Sequence, residues 1–298
     1  MADVFWLISK LLYNCLCLRM NGDTAIKSIG KEVVGLFPAG GIATRIAPIP
    51  CSKELFPVGF FRNGDGLPMK PKVVGRYMLE KMQLAGARKT YIILRQGKWD
   101  IPAYFGDGSS LGLHVAYLMM NVSYGVPFTI DQAYPFLHDA TVLFGFPDII
   151  FEPEDAFRRL VAQLDFSGAD IVLGLFPAHS YEKMDMVSLD GDGLIREIVI
   201  KPVQTSLFYT WIIAAWNQKF TQFIHDFVCN FAGQVGERLN GNESPVAEIY
   251  LGDVIQAAIH EEITISSVKF DKGSYLDIGT PEDLEKAVSL YGRNTRRD

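Results

Sequence analysis

The order of apolar patterns along this chain predicts an α/β fold of three layers, with a mainly parallel, mixed sheet flanked by helices. Three observations point there. Short apolar runs rich in β-branched residues recur at Val33–Phe37, Thr90–Leu94, Thr141–Gly145 and Asp170–Phe176, as buried strands do. Stretches between them carry apolar residues at helical spacing. Hydrophobic residues make up 49% of the 298, enough for one sizeable core.

Residues 1–30 are set apart as an N-terminal extension, and residues 31–298 read as a single domain. The opening Phe5-Trp6-Leu7-Ile8 and Leu11-Leu12 are apolar, but Asp3 precedes them, Lys10 interrupts them and no small-residue cleavage site follows. A secretory signal is therefore not expected, and the run is too short to span a membrane. Residues 1–19 read either as an accessory helix or as an over-extended start, with Met20 opening a polar lead-in to the first strand. Beyond that strand, Val74, Tyr77, Met78, Met82 and Ala85 predict a helix that Gly86 stops, before the strand at Thr90–Leu94. A helix from Pro153 through Phe157, Leu160, Val161 and Leu164 separates the next two strands. Phe220, Phe223, Ile224, Phe227, Val228 and Phe231 mark another, packed into the core. Thr280-Pro281-Glu282-Asp283 supplies an N-cap, a proline at the first helical position and an acidic third residue for a last helix. The chain ends soon after Asp277, so no appended solenoid of repeats is expected.

A net charge of −6 argues against a general nucleic-acid or membrane-surface binder, so neither is expected as a partner. Cys15, Cys17, Cys51 and Cys229 form no C-x-x-C pair, and no histidine pair has zinc-ligand spacing, which suits a reducing cytoplasm. Cations must then be concentrated locally, and one loop does this. In Phe37-Pro38-Ala39-Gly40-Gly41-Ile42-Ala43-Thr44-Arg45, followed by Ser52-Lys53-Glu54-Leu55-Phe56-Pro57, a glycine turn at a strand end stands beside two fixed cations. Ala39, Gly40 and Gly41 offer backbone N–H groups to phosphate oxygens, Thr44 a hydroxyl and Arg45 a two-pronged guanidinium. Neither G-x-G-x-x-G nor G-x-x-x-x-G-K-[ST] is present, so a different polyphosphate loop is implied.

With Lys53 and Pro57 included, this run resembles GGxGTRLxPxTxxxPKxLxPV, the signature of sugar-phosphate nucleotidyltransferases of the glucose-1-phosphate thymidylyltransferase type. Gly106-Asp107-Gly108-Ser109 with Leu111-Gly112-Leu113, and the stretch Gly86 to Leu94, are similar to further parts of that family. The resemblance runs from residue 31 to about 290. It implies a Rossmann-like nucleotidyltransferase (nucleotide-diphospho-sugar transferase) fold. It also implies a reaction joining an NTP, dTTP or UTP foremost, to a sugar 1-phosphate with release of pyrophosphate, and Mg²⁺ as cofactor. No nucleophilic side chain is required, because a sugar phosphate with a second pKa of about 6 is largely a dianion at neutral pH.

Members of that family carry one metal-binding aspartate in a strand-end G-D and another in W-x-D-x-G-T. Asp148 matches the first across an inserted Phe146-Pro147, and Asp277 matches the second with Tyr275 in place of tryptophan. The resemblance thus implies Arg45, Lys53, Asp148 and Asp277 as catalytic, with both aspartates as metal ligands. It implies Gln132, in Asp131–Leu137, at the base edge, and Lys201, in Val199-Ile200-Lys201-Pro202, with Glu248 at the sugar phosphate. A homo-oligomer is allowed.

Several positions depart from the family pattern. Ala43 stands for a third loop glycine, Phe136 for a glycine in the base-recognition run and Ile200 for the glutamate of E-K-P, while Val246–Ile255 lacks an arginine. These keep open a catalytically weakened, nucleotide-binding regulatory protein. Asp190-Gly191-Asp192 keeps open a nucleotide-sugar-dependent glycosyltransferase, although its glycines suit a hairpin turn.

Overall fold

In the computed structural model the described residues are 31–41, 43–62, 68–120, 124–179, 181–240 and 248–292, the side chains of 233–240 excepted. The extension expected at residues 1–30 lies outside them, as does the reading of residues 1–19 as an accessory helix or an over-extended start.

β1 (Val33–Ala39) lies between two parallel neighbours, β4 (Lys89–Arg95) and β6 (Thr141–Gly145), and β5 (His114–Met120) joins β4, also parallel. These strands are covered on both faces, which is why they read as continuous apolar runs and not as alternation. On the far side of β6, β11 (Tyr209–Trp216) runs antiparallel and also pairs with β8 (Ile171–Pro177), beyond which β12 (Ile265–Lys269) is parallel to β8. β9 (Met186–Leu189) and β10 (Ile195–Val199) form a hairpin whose first strand pairs with the start of β11. Among the described residues the outcome is one nine-stranded mixed sheet. The expected fold class holds, with the reversal at β11 bringing antiparallel pairing into the second half.

Helices cover both faces. On one, α1 (Val74–Leu84), α2 (Asp100–Phe105) and α4 (Ala156–Ser167) bury Met78, Leu79, Met82, Ile101, Phe157 and Leu160 against Phe37, Ile92 and Leu143. On the other, α3 (Val126–Asp131), α5 (Gln218–Asn240) and α6 (Leu251–Ile259) bury Ile130, Phe220, Ile224, Val254 and Ile255 against Leu36, Ile93 and Phe144. Leu36 and Phe37 enter opposite cores because successive strand residues face opposite sides. Each such fully buried side chain contributes about 1.5–3 kcal/mol. α5 is also tied to α3, where His225 Nδ1 and Asp131 Oδ1 are 2.9 Å apart. No helix among the described residues is long and apolar enough to cross a membrane.

α4 begins at Ala156 and not at Pro153, because β7 (Ile149–Glu152) still pairs with β13 (Ser274–Asp277) as far as Glu152 and holds the chain extended. A third, smaller cluster packs these two strands against α7 (Pro281–Tyr291) and the β2 (Pro57–Phe61) and β3 (Lys70–Val73) hairpin, through Val58, Ile150, Leu276, Ile278 and Ala287. α7 starts as its sequence predicts: Thr280 Oγ1 accepts from the Asp283 N–H at 3.3 Å, with Pro281 at the first helical position.

The parallel pair β1 and β6 ends at one edge of the sheet, and antiparallel β11 begins there. Ligands of open α/β sheets bind outside such carboxyl ends. Gly125, leading into α3 at this edge, has φ of 128° and forms a parallel bridge with Ile249. Any Cβ at 125 would collide with the Ile249 carbonyl oxygen, so glycine is what lets the lead-in to α6 close on α3. Gly125→Ala should therefore lower stability by about 3 kcal/mol or more. Urea unfolding followed by circular dichroism measures this, and an unchanged midpoint would contradict the packing argument.

Candidate active site

The glycine turn follows β1, and Asp148 follows β6, so parallel pairing brings them side by side. A Cβ built on Gly41 would lie 3.8 Å from Lys53 Nζ, and that ammonium donates to Asp148 Oδ2 at 2.5 Å. Asp277 arrives by a different route. The β7–β13 ladder pairs it with Ile149, and the Ile278 N–H donates to the Asp148 carbonyl oxygen at 2.9 Å. Two backbone neighbours across a ladder thus carry both acids. The Arg45 guanidinium rests on Gly279: a Cβ there would stand 2.8 Å from Nη2 and 3.3 Å from Asp277 Oδ1. Arg45, Lys53, Asp148 and Asp277 therefore form one cluster, although 232 residues separate the first from the last.

Burial, followed by the charge of Asp148, pushes the Asp277 carboxyl up to about 6 against the pull of Lys53 and Arg45. Burial would depress Lys53, but Asp148, Glu54 and Asp277 outweigh it and its pKa is raised. Asp277 Oδ1 is buried with no hydrogen-bond partner. Two carboxylates, one with a bare oxygen, are a donor set suited to a hard divalent cation. Among the described residues no group of three or more His, Cys, Asp or Glu could hold a metal. Mg²⁺ fits such a pair, since it is commonly held by one or two carboxylates with water and phosphate oxygens completing its shell.

The loop carrying Lys53 is held from below by polar contacts. The Ser52 N–H and hydroxyl donate to the two oxygens of Asp100 at 2.6 and 2.7 Å. Lys98 Nζ donates to both oxygens of Glu54, at 2.7 and 2.9 Å, and Glu54 is 1% exposed. Burial nevertheless leaves the Glu54 carboxyl raised, with Lys98 opposing. Ala43 adopts φ of 59°, a left-handed backbone that glycine takes without strain.

A cleft of roughly 210 Å³ opens from Asp148 and Asp277 and is walled by Val126, Phe146, Asp185, Lys201, Trp211, Glu248 and Tyr250, among others. Lys201 and Glu248 are thus both brought to this cleft. Lys201 has φ of 40° and lays its Nζ 3.6 Å from the centre of the Tyr250 ring. Gln132 is not brought there. It is exposed just past the end of α3, its amide donates to the Phe128 carbonyl at 3.4 Å, and Val126 at the other end of that helix faces the cleft. Phe136 stacks on Tyr91 at 5.6 Å. Asp253 accepts the Tyr250 N–H at 2.8 Å and caps α6. Asp190 accepts the N–H groups of Asp192 and Leu194 in the β9–β10 turn, so the D-x-D letters serve a hairpin.

Sequence reasoning missed Asp185, Trp211 and the Glu54–Lys98 and Ser52–Asp100 contacts. Asp185 did carry a signal, an acid between Met184 and Met186 at the head of a strand.

The family model for nucleotidyl transferases matches residues 35–294. The low-salt glycan biosynthesis nucleotidyltransferase Agl11 of Haloferax volcanii is 23% identical over 259 residues, 86% of this chain, which spans 65% of that relative's length. A solved chain assigned as a glucose-1-phosphate thymidylyltransferase of Bacillus anthracis, in complex with sucrose, superposes with a TM-score of 0.70 at 18% identity. That match covers 88% of this chain and 96% of the other, and it concerns the fold.

Two outcomes follow from the electrostatics. Lys98→Met leaves the Glu54 carboxylate buried and unpaired, and should cost about 3 kcal/mol or more, while Glu54→Gln with Lys98→Met should recover most of it. Denaturant unfolding of the three proteins checks this. For Asp277 the folded pKa is raised, so its favourable contribution is complete below about pH 4 and is lost as pH rises through about 6. In EDTA, Asp277→Asn should be more stable than the wild type by ~3 kcal/mol at pH 7, with the gain vanishing by about pH 4. A pH-independent difference would contradict the burial argument.

Proposed function

Because the chain belongs to the nucleotidyl transferase family, we propose that it joins an NTP to a sugar 1-phosphate and releases pyrophosphate, giving an NDP-sugar. The observation that carries this reading is the meeting of Arg45 and Lys53, from the glycine loop, with Asp148 and Asp277 at the mouth of a cleft. Four charges of both signs at one carboxyl edge suit a substrate that brings several phosphates and a cation.

In this reading the Gly40 and Gly41 amides, Thr44 and Arg45 hold the β- and γ-phosphates and stabilise the departing pyrophosphate, and Lys53 offsets charge at the α-phosphate. Asp148 and Asp277 would hold Mg²⁺, which when bound supplies further neutralisation of phosphate charge. Lys201 orients the incoming sugar phosphate. One of its oxygens forms a bond to the α-phosphorus as the bond from that phosphorus to the β-bridging oxygen breaks, in line, with no protein nucleophile. dTTP and UTP are the first nucleotides to test. The two described cysteines, Cys51 and Cys229, are free, in keeping with a cytoplasmic setting.

The regulatory alternative is weakened by Ala43, which keeps a left-handed backbone despite its Cβ. The glycosyltransferase alternative loses its motif to the β9–β10 turn. Incubation with each NTP, Mg²⁺ and a panel of sugar 1-phosphates should release pyrophosphate only when both substrates are present. Arg45→Ala and Asp277→Ala should each lower kcat by about 100-fold or more. Nucleotide binding without pyrophosphate release would favour the regulatory protein, and wild-type rates in either variant would remove that residue from the chemistry.

A further inference from the structure

Part of the cleft wall has no task in the reaction above. Asp185 and Trp211 both line it, and each carries a buried atom without a hydrogen-bond partner, Asp185 Oδ1 and Trp211 Nε1. The two are neighbours. The β9–β11 ladder pairs Thr210 with Met186, and the Thr210 hydroxyl donates to the Asp185 carbonyl oxygen at 2.8 Å. Asp185 immediately precedes Met186 and Trp211 immediately follows Thr210, so the two stand at adjoining positions beside that pair.

The surroundings give neither atom relief. A Cβ on Gly252 would meet Asp185 Oδ2 and Ile200 Cδ1, each at 2.5 Å, so the carboxylate packs against the first turn of α6 beside Ile200. Burial pushes the Asp185 carboxyl up to about 6, with Lys201 opposing, Asp253 adding and the Lys201 N–H opposing again. At neutral pH it is chiefly an acceptor, while an indole N–H is only a donor. A bound group that satisfies both must donate to one and accept from the other. A hydroxyl does so; an ammonium cannot accept, and an ionised phosphate cannot donate and is repelled by the carboxylate.

We propose that Asp185 and Trp211 form a hydroxyl-selecting subsite that fixes which sugar 1-phosphate the cleft takes. It rests on the transferase reading for the presence of a sugar phosphate there. A site built around such a hydroxyl rejects the analogue that lacks it far more strongly than an apolar wall could, because the analogue leaves buried polar groups unpaired.

The test is calorimetric titration of the protein, with Mg²⁺ and an α,β-methylene NTP bound, by glucose, galactose and mannose 1-phosphates and their singly deoxygenated derivatives. The wild type should bind one parent sugar about 100-fold or more tightly than one of its deoxy derivatives. Asp185→Ala should shrink that ratio to below about 10, and Trp211→Phe, which removes the donor together with part of the ring, should shrink it part of the way. Affinity for the NTP analogue, measured on the same samples, reports that the variants are folded. An unchanged ratio in both variants overturns the subsite, as does tighter wild-type binding of an amino-sugar or N-acylamino-sugar 1-phosphate than of the hydroxyl parent, or no binding of any sugar 1-phosphate. If the ratio behaves as stated but pyrophosphate never appears, the subsite stands and the transferase reading fails alone.

Discussion

Two carboxylates held against each other by backbone pairing are the constraint on which the site depends. Asp148 and Asp277 cannot drift apart, because β7 and β13 pair directly beside them and the Ile278 N–H is bonded to the Asp148 carbonyl. Burial first, and the like charge of Asp148 after it, push the Asp277 carboxyl up to about 6. Lys53 and Arg45 offset part of that repulsion from the glycine loop. What remains is the charge pattern that a metal-bound polyphosphate would complete in the proposed reaction.

A cation can serve there only if its backbone does not move. The Lys53 turn hangs on Ser52–Asp100 and Glu54–Lys98, two contacts that reach from β-strand loops to α2 and its lead-in. Glu54 is almost fully buried, so its pairing with Lys98 adds little net stability yet makes the geometry hard to break. Strain at Ala43 and Lys201, both left-handed without being glycine, belongs to the same picture: backbone held in place by its surroundings at the points where ligand would be met. The opposite wall is fixed by Gly125, which brings Val126 and the Glu248–Tyr250 segment to one side of the cleft.

Much of this was legible in the chain. The buried strands announced themselves as apolar runs because helices cover both faces of the sheet, and β6 lies where its residues predicted, at Thr141–Gly145. The α7 cap was readable because capping is local: Thr280, Pro281 and Asp283 act within one turn. The glycine loop with Arg45 and Lys53 was readable for the same reason. The placing of Gln132 was not legible: its stretch read as a recognition run, and only the fold shows it exposed just past the end of α3, outside the cleft of Asp148 and Asp277.

Sequence by itself settled the local matters, namely which segments are strands and helices, where the last helix begins and which loop gathers cations, because each depends on neighbours a few bonds away. Only the tertiary structure decided that Arg45 lies on Gly279, that Asp148 meets Asp277 despite an inserted Phe146-Pro147, and that Asp185 faces the cleft with Trp211. Those meetings are made by pairing across β6–β11, β7–β13 and β9–β11. Ladder register is a long-range property that no window of sequence contains.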